Sequence, residues 1–332
     1  MKNINQFKEE NLVKLDLKDK KLLSVLDFDA RLPYSRLAKK IGLSKQGAEY
    51  KLNNLLKKGV IKGFYPVINV PKLGYLYCRL SLTLQNVTRE KYQEIVNYLL
   101  NHKKVFWLFE MQGIFDIFLA MWVQSLTEFK DFIMEVENRF GEHIKKKVEN
   151  LATDVIHFQH RYLLGNKNTD EIHIKETAER IALDELDKDI LKILCTDARI
   201  PLVDIAKQVR ESAKVVAYRI KKLEKKKLIE CYRPIVDHNK IGFTYYKLFI
   251  SFNRISRNDL MRLKEYIKNN PLLIYIIEGI GLHADLDIEM MVSSNQQLFD
   301  FIEDLKFRFP ALIGEYQTVI FMDTLKVKYL PF

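Results

Sequence analysis

Apolar positions between Leu37 and Leu56 fall into two helical patterns separated by a glycine. Leu37, Ala38 and Ile41, at i, i+1, i+4, share one face of a short helix. Gly42 permits the left-handed residue that ends such a helix. Ser44 then stands where an N-cap hydroxyl accepts an early amide of the next helix. There Ala48, Leu52, Leu55 and Leu56 point inward at i, i+4, i+7, i+8, leaving Lys45, Gln46, Glu49, Tyr50, Lys51 and Asn54 outward. After Gly59, Val60–Ile61 and Phe64–Tyr65 read as two short strands turning about Lys62–Gly63. The pattern predicts a winged helix-turn-helix, the form in which one helix is offered to a major groove.

Downstream the periodicity changes. Leu76–Leu84 alternates as a strand, with Cys78, Leu80, Leu82 and Leu84 on one face. Arg89–Asn101 places Tyr92, Ile95, Val96, Leu99 and Leu100 at helical spacing. Val105–Met111 and Asp116–Val123 read as strands flanking a turn at Gly113. Leu126–Phe140 is a helix with Phe129, Phe132, Ile133 and Val136 inward, and Lys147–Phe158 a final strand. The order βαββαβ predicts a ferredoxin-like domain with two helices on one face of an antiparallel sheet.

The whole pattern occurs twice. LDLKDKKLLSVLDFDARLP from Leu15 aligns with LDELDKDILKILCTDARIP from Leu183, and the alignment runs ungapped to Leu82 over Ile250. Over those 68 positions 23 residues are identical, too many for two unrelated segments. The fold expected is α+β, in two tandem repeats of helix-turn-helix plus ferredoxin-like domain. The expected boundaries are 1–74 and 75–164 for copy one, a polar linker over 165–182, then 183–242 and 243–332 for copy two.

Charge sharpens this division. The chain of 332 residues carries a net +11. Residues 1–74 hold +9 of it and 183–242 hold +4, while the two ferredoxin-like blocks are close to neutral. Two basic modules on neutral scaffolds suit a polyanion. No apolar run approaches the ~20 residues of a membrane span, and the N-terminus lacks the apolar core of a secretory signal. The three scattered cysteines form neither a zinc motif nor a disulfide framework, which points to the cytoplasm.

These features resemble the leucine-responsive regulator family, Lrp/AsnC. The likeness rests on Leu15–Asp19 and Leu183–Asp187 and on D-A-R-[LI]-P at Asp29–Pro33 and Asp197–Pro201. It also rests on LAKKIGLS at Leu37–Ser44, GVIKGFYPVIN at Gly59–Asn69 and the G-x-x-D turn Gly113–Asp116. It implies a sequence-specific, DNA-binding transcriptional regulator whose second (RAM-type) domains pair through their open sheet faces and bind small effectors, commonly amino acids. Carried onto this chain, it implies DNA contacts at Ser44, Lys45, Gln46, Tyr50, Lys51, Asn54 and Lys62. In copy two the corresponding contacts are Ser212, Lys214, Tyr218, Arg219 and Lys222. An effector is expected at Gly113, Ile114, Phe115 and Asp116. In copy two Arg210–Glu211 replaces Gly42–Leu43, so an altered turn is expected, and GLHAD is one residue longer than GIFD.

Two other readings stay open: an architectural DNA binder without effector, and an enzyme. Siroheme decarboxylases are similar to this family in both domains. FEMQGIFDIFLAMW and IEGIGLHADLDIEMM, however, offer no arginine for a polycarboxylate. No catalytic constellation, cofactor motif or phosphate loop appears. His283, Asp285, Asp287 and Glu289 alternate along one strand, but an ion-paired acidic face is commoner than a metal site. Phe118, Ala120 and Trp122 form an apolar outer sheet face in copy one, where copy two has Asp287 and Glu289. An asymmetric sheet interface is therefore expected, with the copy-one face packed against copy two of its own chain, which the linker keeps close, or else against another copy one. A homo-oligomer is expected. These two carboxylates are expected at the interface rim or paired with lysines, not at its centre.

Overall fold

A computed structural model describes residues 12–165, 170–253 and 256–332. Residues 1–11 of the polar N-terminus and 166–169 of the expected linker lie outside the described residues. In chain order the elements begin with α1 Leu17–Leu26, α2 Tyr34–Ile41, α3 Lys45–Lys57 and β1 Ile61–Ile68. Next come β2 Leu76–Leu84, α4 Arg89–Asn101, β3 Val105–Gln112, β4 Ile117–Val123, α5 Leu126–Phe140, β5 Ile144–Phe158 and β6 Glu171–Lys175. Copy two repeats the series as α6 Glu185–Thr196, α7 Leu202–Val209, α8 Ala213–Lys225 and β7 Ile229–Val236. It ends with β8 Thr244–Phe252, α9 Arg257–Lys268, β9 Leu273–Ile280, β10 Leu286–Val292, α10 Asn295–Arg308 and β11 Ile313–Val327. Part of the expected linker is thus a strand, β6, whose Ile174 is buried against β5.

Contacts gather these elements by kind rather than by copy. One unit holds both helix-turn-helix modules with residues 159–170; the other holds both ferredoxin-like domains with 171–180.

In the first unit Leu37, Ala38 and Ile41 of α2 and Ala48, Leu52 and Leu55 of α3 are buried, as their spacing requires. The segment expected to fold back at Gly63 instead runs straight through it as β1, which pairs antiparallel with β7 of copy two. Gly63 does not take the positive φ that such a turn uses. The two-stranded element of the winged fold is therefore assembled between the copies. The D-A-R motifs fasten it reciprocally: Ala30 N–H donates to Tyr232 C=O and Ala198 N–H to Phe64 C=O. Arg31 donates to the carbonyl of Ala198, and Arg199 to that of Ala30.

One interaction in this unit has no mirror image. Arg233 Nε lies 2.7 Å from Asp27 Oδ1, both fully buried, and the His160 amide donates to Asp27 Oδ2 at 2.6 Å. The His160 and His238 rings lie 5.4 Å apart, with Tyr162 Oη 2.7 Å from His238 Nδ1. Burial holds both imidazoles well below their ordinary value, aided at His160 by the Arg233 charge and at His238 by His160. Both are therefore neutral when folded and take up protons only on unfolding, so stability is lost as pH falls below the ordinary value. Below about pH 6 the melting free energy should fall by up to about 1.4 kcal/mol per pH unit for each histidine. Thermal melts between pH 7 and 5 check this. A slope that His160→Gln and His238→Gln leave unchanged would assign the acid sensitivity elsewhere.

In the second unit each copy keeps the ferredoxin order, and long strands join the copies. β11 pairs with β8 along Ile313–Ile320 and with β3 along Ile320–Val327. β5 pairs with β2 and β9. The order β2-β4-β3-β11-β8-β10-β9-β5 returns to β2, so eight strands close on themselves, and β6 continues along β5. On the helix side Ile117, Leu119 and Met121 pack with Ile95, Leu99, Phe129 and Phe132. On the inner side Phe118 and Ala120 pack with Phe249, Val319 and Phe321 of copy two.

Asp287 and Glu289 are 1% and 2% exposed, so the expectation that they stay out of the interface centre is corrected, while their expected pairing with a lysine is found. What permits their burial is charge: Lys247 Nζ sits 2.7 Å from Asp287 Oδ1 and 2.8 Å from Glu289 Oε1. Arg79 Nη2 of copy one reaches Asp287 Oδ2 at 3.1 Å, and Tyr245 Oη donates to Glu289. A buried charge is tolerable only with such partners.

Candidate nucleic-acid interface

Two recognition helices, α3 and α8, are built alike. Ser44 Oγ accepts the Gly47 amide at 3.0 Å and Ser212 Oγ that of Val215 at 3.2 Å, each serving as an N-cap. Before them the turn is the same in both copies, which corrects the expected distortion in copy two. Arg210 takes φ 56, ψ 41 where Gly42 takes φ 67, ψ 53, and each cap amide reaches the alanine carbonyl four residues back. Arginine in this left-handed region costs about 1 kcal/mol, which the retained cap bonds offset.

The helix faces divide the expected DNA-binding residues into two groups. Ser44, Lys45, Gln46 and Tyr50, and in copy two Ser212, Lys214 and Tyr218, are exposed. The tyrosines are 73% and 66% exposed, so they are not placed to fill the core. Asn53 and Lys57, with Lys221 and Lys225, extend the same stripe at i+3 and i+7 from the tyrosines. That spacing is the signal that could have found them. Asn54 and Lys222 lie half-buried beside it.

Lys51 and Arg219, also expected on DNA, are each held by an ion pair within their own module. Lys51 Nζ lies 2.7 Å from Asp16 Oδ2 and 2.8 Å from Asp19 Oδ1. The two aspartates cap α1, the Asp19 amide donating to Asp16 at 2.8 Å and the Asp16 amide to Asp19 at 3.1 Å. In copy two Arg219 holds Asp184 and Asp187 in the same way. The Lys51 hydrogen bond lowers the Asp16 carboxyl, and the Asp187 amide followed by Arg219 lowers Asp184. These cations therefore tie each recognition helix to the first helix of its module. Lys62 lies 2.9 Å from Asp237 across the β1–β7 junction rather than on a wing tip.

The G-x-x-D turn is also committed to the fold. Asp116 Oδ2 accepts the Leu84 amide at 2.7 Å, and Asp285 accepts that of Phe252 at the same distance. Ile114 C=O accepts from Thr83 Oγ1 at 2.6 Å, and Phe115 is buried against Phe249 and His283. Gly113 has φ 140, and a side chain there would meet the Thr318 carbonyl of copy two at 2.9 Å. Of the acidic strand residues, Asp285 is a backbone acceptor, His283 bonds Gln317 at 2.7 Å, and Asp287 and Glu289 are salt-bridged. Among the described residues no histidine, cysteine or carboxylate cluster fits a metal ion, and no helix is long and apolar enough to cross a membrane.

Comparison with known proteins agrees with this geometry. Residues 183–224 match the AsnC-type helix-turn-helix domain, and residues 15–62 match a winged helix-turn-helix DNA-binding domain. The chain is similar to the transcriptional regulator FL11 of Pyrococcus furiosus, 29% identical over 146 residues, 42% of this chain and 95% of that one. LrpA of Pyrococcus horikoshii is 30% identical over 128 residues, 39% and 87% of the two chains. AsnC of Haemophilus influenzae is 30% identical over 115 residues, 34% and 75%. Among solved structures, the siroheme decarboxylase NirDL shares the fold along 93% of this chain and 92% of its own, with a TM-score of 0.61 at 15% identity. With a capped recognition helix in each copy and regulators matching over 75–95% of their own length, this chain belongs to the Lrp/AsnC family of transcriptional regulators.

Proposed function

We propose that the protein is a cytoplasmic transcriptional regulator that reads one DNA site with two unlike recognition helices. One observation carries this reading. Of the 13 positions in α3 and α8 only three are identical, Tyr50/Tyr218, Leu55/Leu223 and Lys57/Lys225. Leu55 and Leu223 are core, whereas the other two pairs lie on the exposed stripe. Divergence has thus spared a shared surface of tyrosine and lysine, residue types that grip a phosphate backbone. At the first turn, where an inserted helix meets base edges, Lys45 and Gln46 correspond to Ala213 and Lys214. Glutamine suits adenine and lysine suits guanine, so the two half-sites should differ.

Selection of bound sequences followed by anisotropy titration over a salt series tests this. Tyr50→Ala with Lys57→Ala should weaken binding to all sequences alike and reduce the salt slope by about 1 for each phosphate no longer neutralised. Gln46→Ala should relax preference in one half-site only. A selected site that is a perfect palindrome would overturn the assignment of unlike readers. Lys51→Met is expected to lower the melting temperature and leave base preference unchanged.

An amino-acid effector is a finer proposal, and the Gly113–Asp116 turn supports it weakly, because Asp116 already serves the Leu84 amide and Phe115 fills the turn. The decarboxylase reading rests on fold alone.

A further inference from the structure

The copies meet in both units, and each meeting contains buried charge without a counterpart at the repeat-equivalent positions. Asp27 and Arg233 are 1% and 0% exposed and bonded to each other. Where copy two would repeat Asp27 it has Cys195, and where copy one would repeat Arg233 it has Tyr65. In the closed sheet Arg79 and Lys247 are repeat-equivalent cations, but both acids, Asp287 and Glu289, come from copy two. Phe118 and Ala120 stand in their place in copy one. As built, two cations meet two carboxylates.

Same-copy pairings give a different result. Two copies one would bury a pair of Asp27 carboxylates against tyrosines, and a pair of Arg79 guanidiniums with no acid among the inner phenylalanines. Two copies two would bury a pair of Arg233 against cysteines and set four carboxylates against two lysines. A buried charge left without its partner is strongly destabilising, more so than loss of packing alone.

We propose that these charges make the two copies obligate complements, so that each inner surface accepts the other copy and rejects its own kind. The partner that fits copy one is therefore copy two, met first within the same chain because the intervening segment keeps it close. A second chain can enter only by exchanging copy one for copy one and copy two for copy two at once, never by stacking like on like. Both units enforce the same rule with different residues, the first with the buried Asp27–Arg233 pair and the second with a network of four.

The test uses the full chain, mixed in light and isotopically heavy forms and read by cross-linking mass spectrometry and thermal melts. Wild type should give no light–heavy links between like copies. Asp287→Phe with Glu289→Ala, which gives copy two the residues of copy one, should lower the melting midpoint by roughly 10 °C. Adding Arg79→Met and Lys247→Met to that chain should restore the midpoint and permit like-copy links in the sheet unit. Asp27→Cys with Arg233→Tyr, which makes the first unit alike on both sides, should permit like-copy links there. The proposal fails if wild type already forms like-copy links, if the double variant melts as wild type does, or if both neutralised chains keep the wild-type link pattern.

Discussion

Asp27→Ala is expected to destabilise the helix-turn-helix unit by about 3–5 kcal/mol, the usual effect of removing one member of a buried ion pair. The substitution leaves Arg233 charged at a fully buried position without its two bonds to Asp27, at 2.7 and 3.0 Å. It also removes the acceptor of the His160 amide, so a second buried donor is left without this bond. Arg233→Met added to the same chain should recover most of the loss, because methionine fills the guanidinium's space without its charge. Denaturant melts of the single and double variants decide the matter. A single variant within about 1 kcal/mol of wild type would mean that the surrounding packing, not the pair, holds these strands together.

Gly279→Ala should have an effect of similar size by a different route. A Cβ at Gly279 would stand 2.2 Å from the Leu151 carbonyl oxygen and 3.1 Å from the Ala152 Cα. Both obstacles are backbone, so no side chain can swing aside, and β9 must part from β5. Overpacking typically costs about 1–3 kcal/mol, and a clash with immovable backbone belongs at the upper end of that range. Gly141→Ala is the control: its φ of −55° suits alanine and nothing lies within 4 Å of the added carbon. Hydrogen exchange at Ile276 and Ile277, which face β5 in the register, should accelerate in the first variant only. Equal protection in both would show that the sheet can widen there at little cost.

The sequence made the repeating elements plain because each is local. Arg89–Asn101, Leu126–Phe140 and Leu76–Leu84 are bounded in the structure where their apolar spacing begins and ends. The exposed stripe with Lys45, Gln46 and Tyr50 follows from the same helical geometry. What the sequence hid depends on partners far along the chain. Gly63 looked like a turn because its strand's partner lies in the other copy. Lys51 pointed outward on its helix, yet Asp16 and Asp19 lie some thirty residues upstream, close enough in space to claim it. Asp287 and Glu289 looked unfit for an interior because their cation stands on another strand. Arg210 shows a different limit: the backbone can demand a left-handed residue that the side chain merely tolerates.

The closed eight-stranded sheet gives synthesis of the chain a timetable. Copy one leaves the ribosome with β3 and β5 lacking the neighbours β11 and β9, and β1 lacking β7. Those neighbours are encoded about 120 to 215 residues later, a delay of roughly 6–43 s at ordinary rates of elongation. During that interval the nascent first half presents rows of unpaired amides and carbonyls, the feature by which strands of neighbouring nascent chains join. Once the second half emerges, every one of those rows is occupied from within the same molecule.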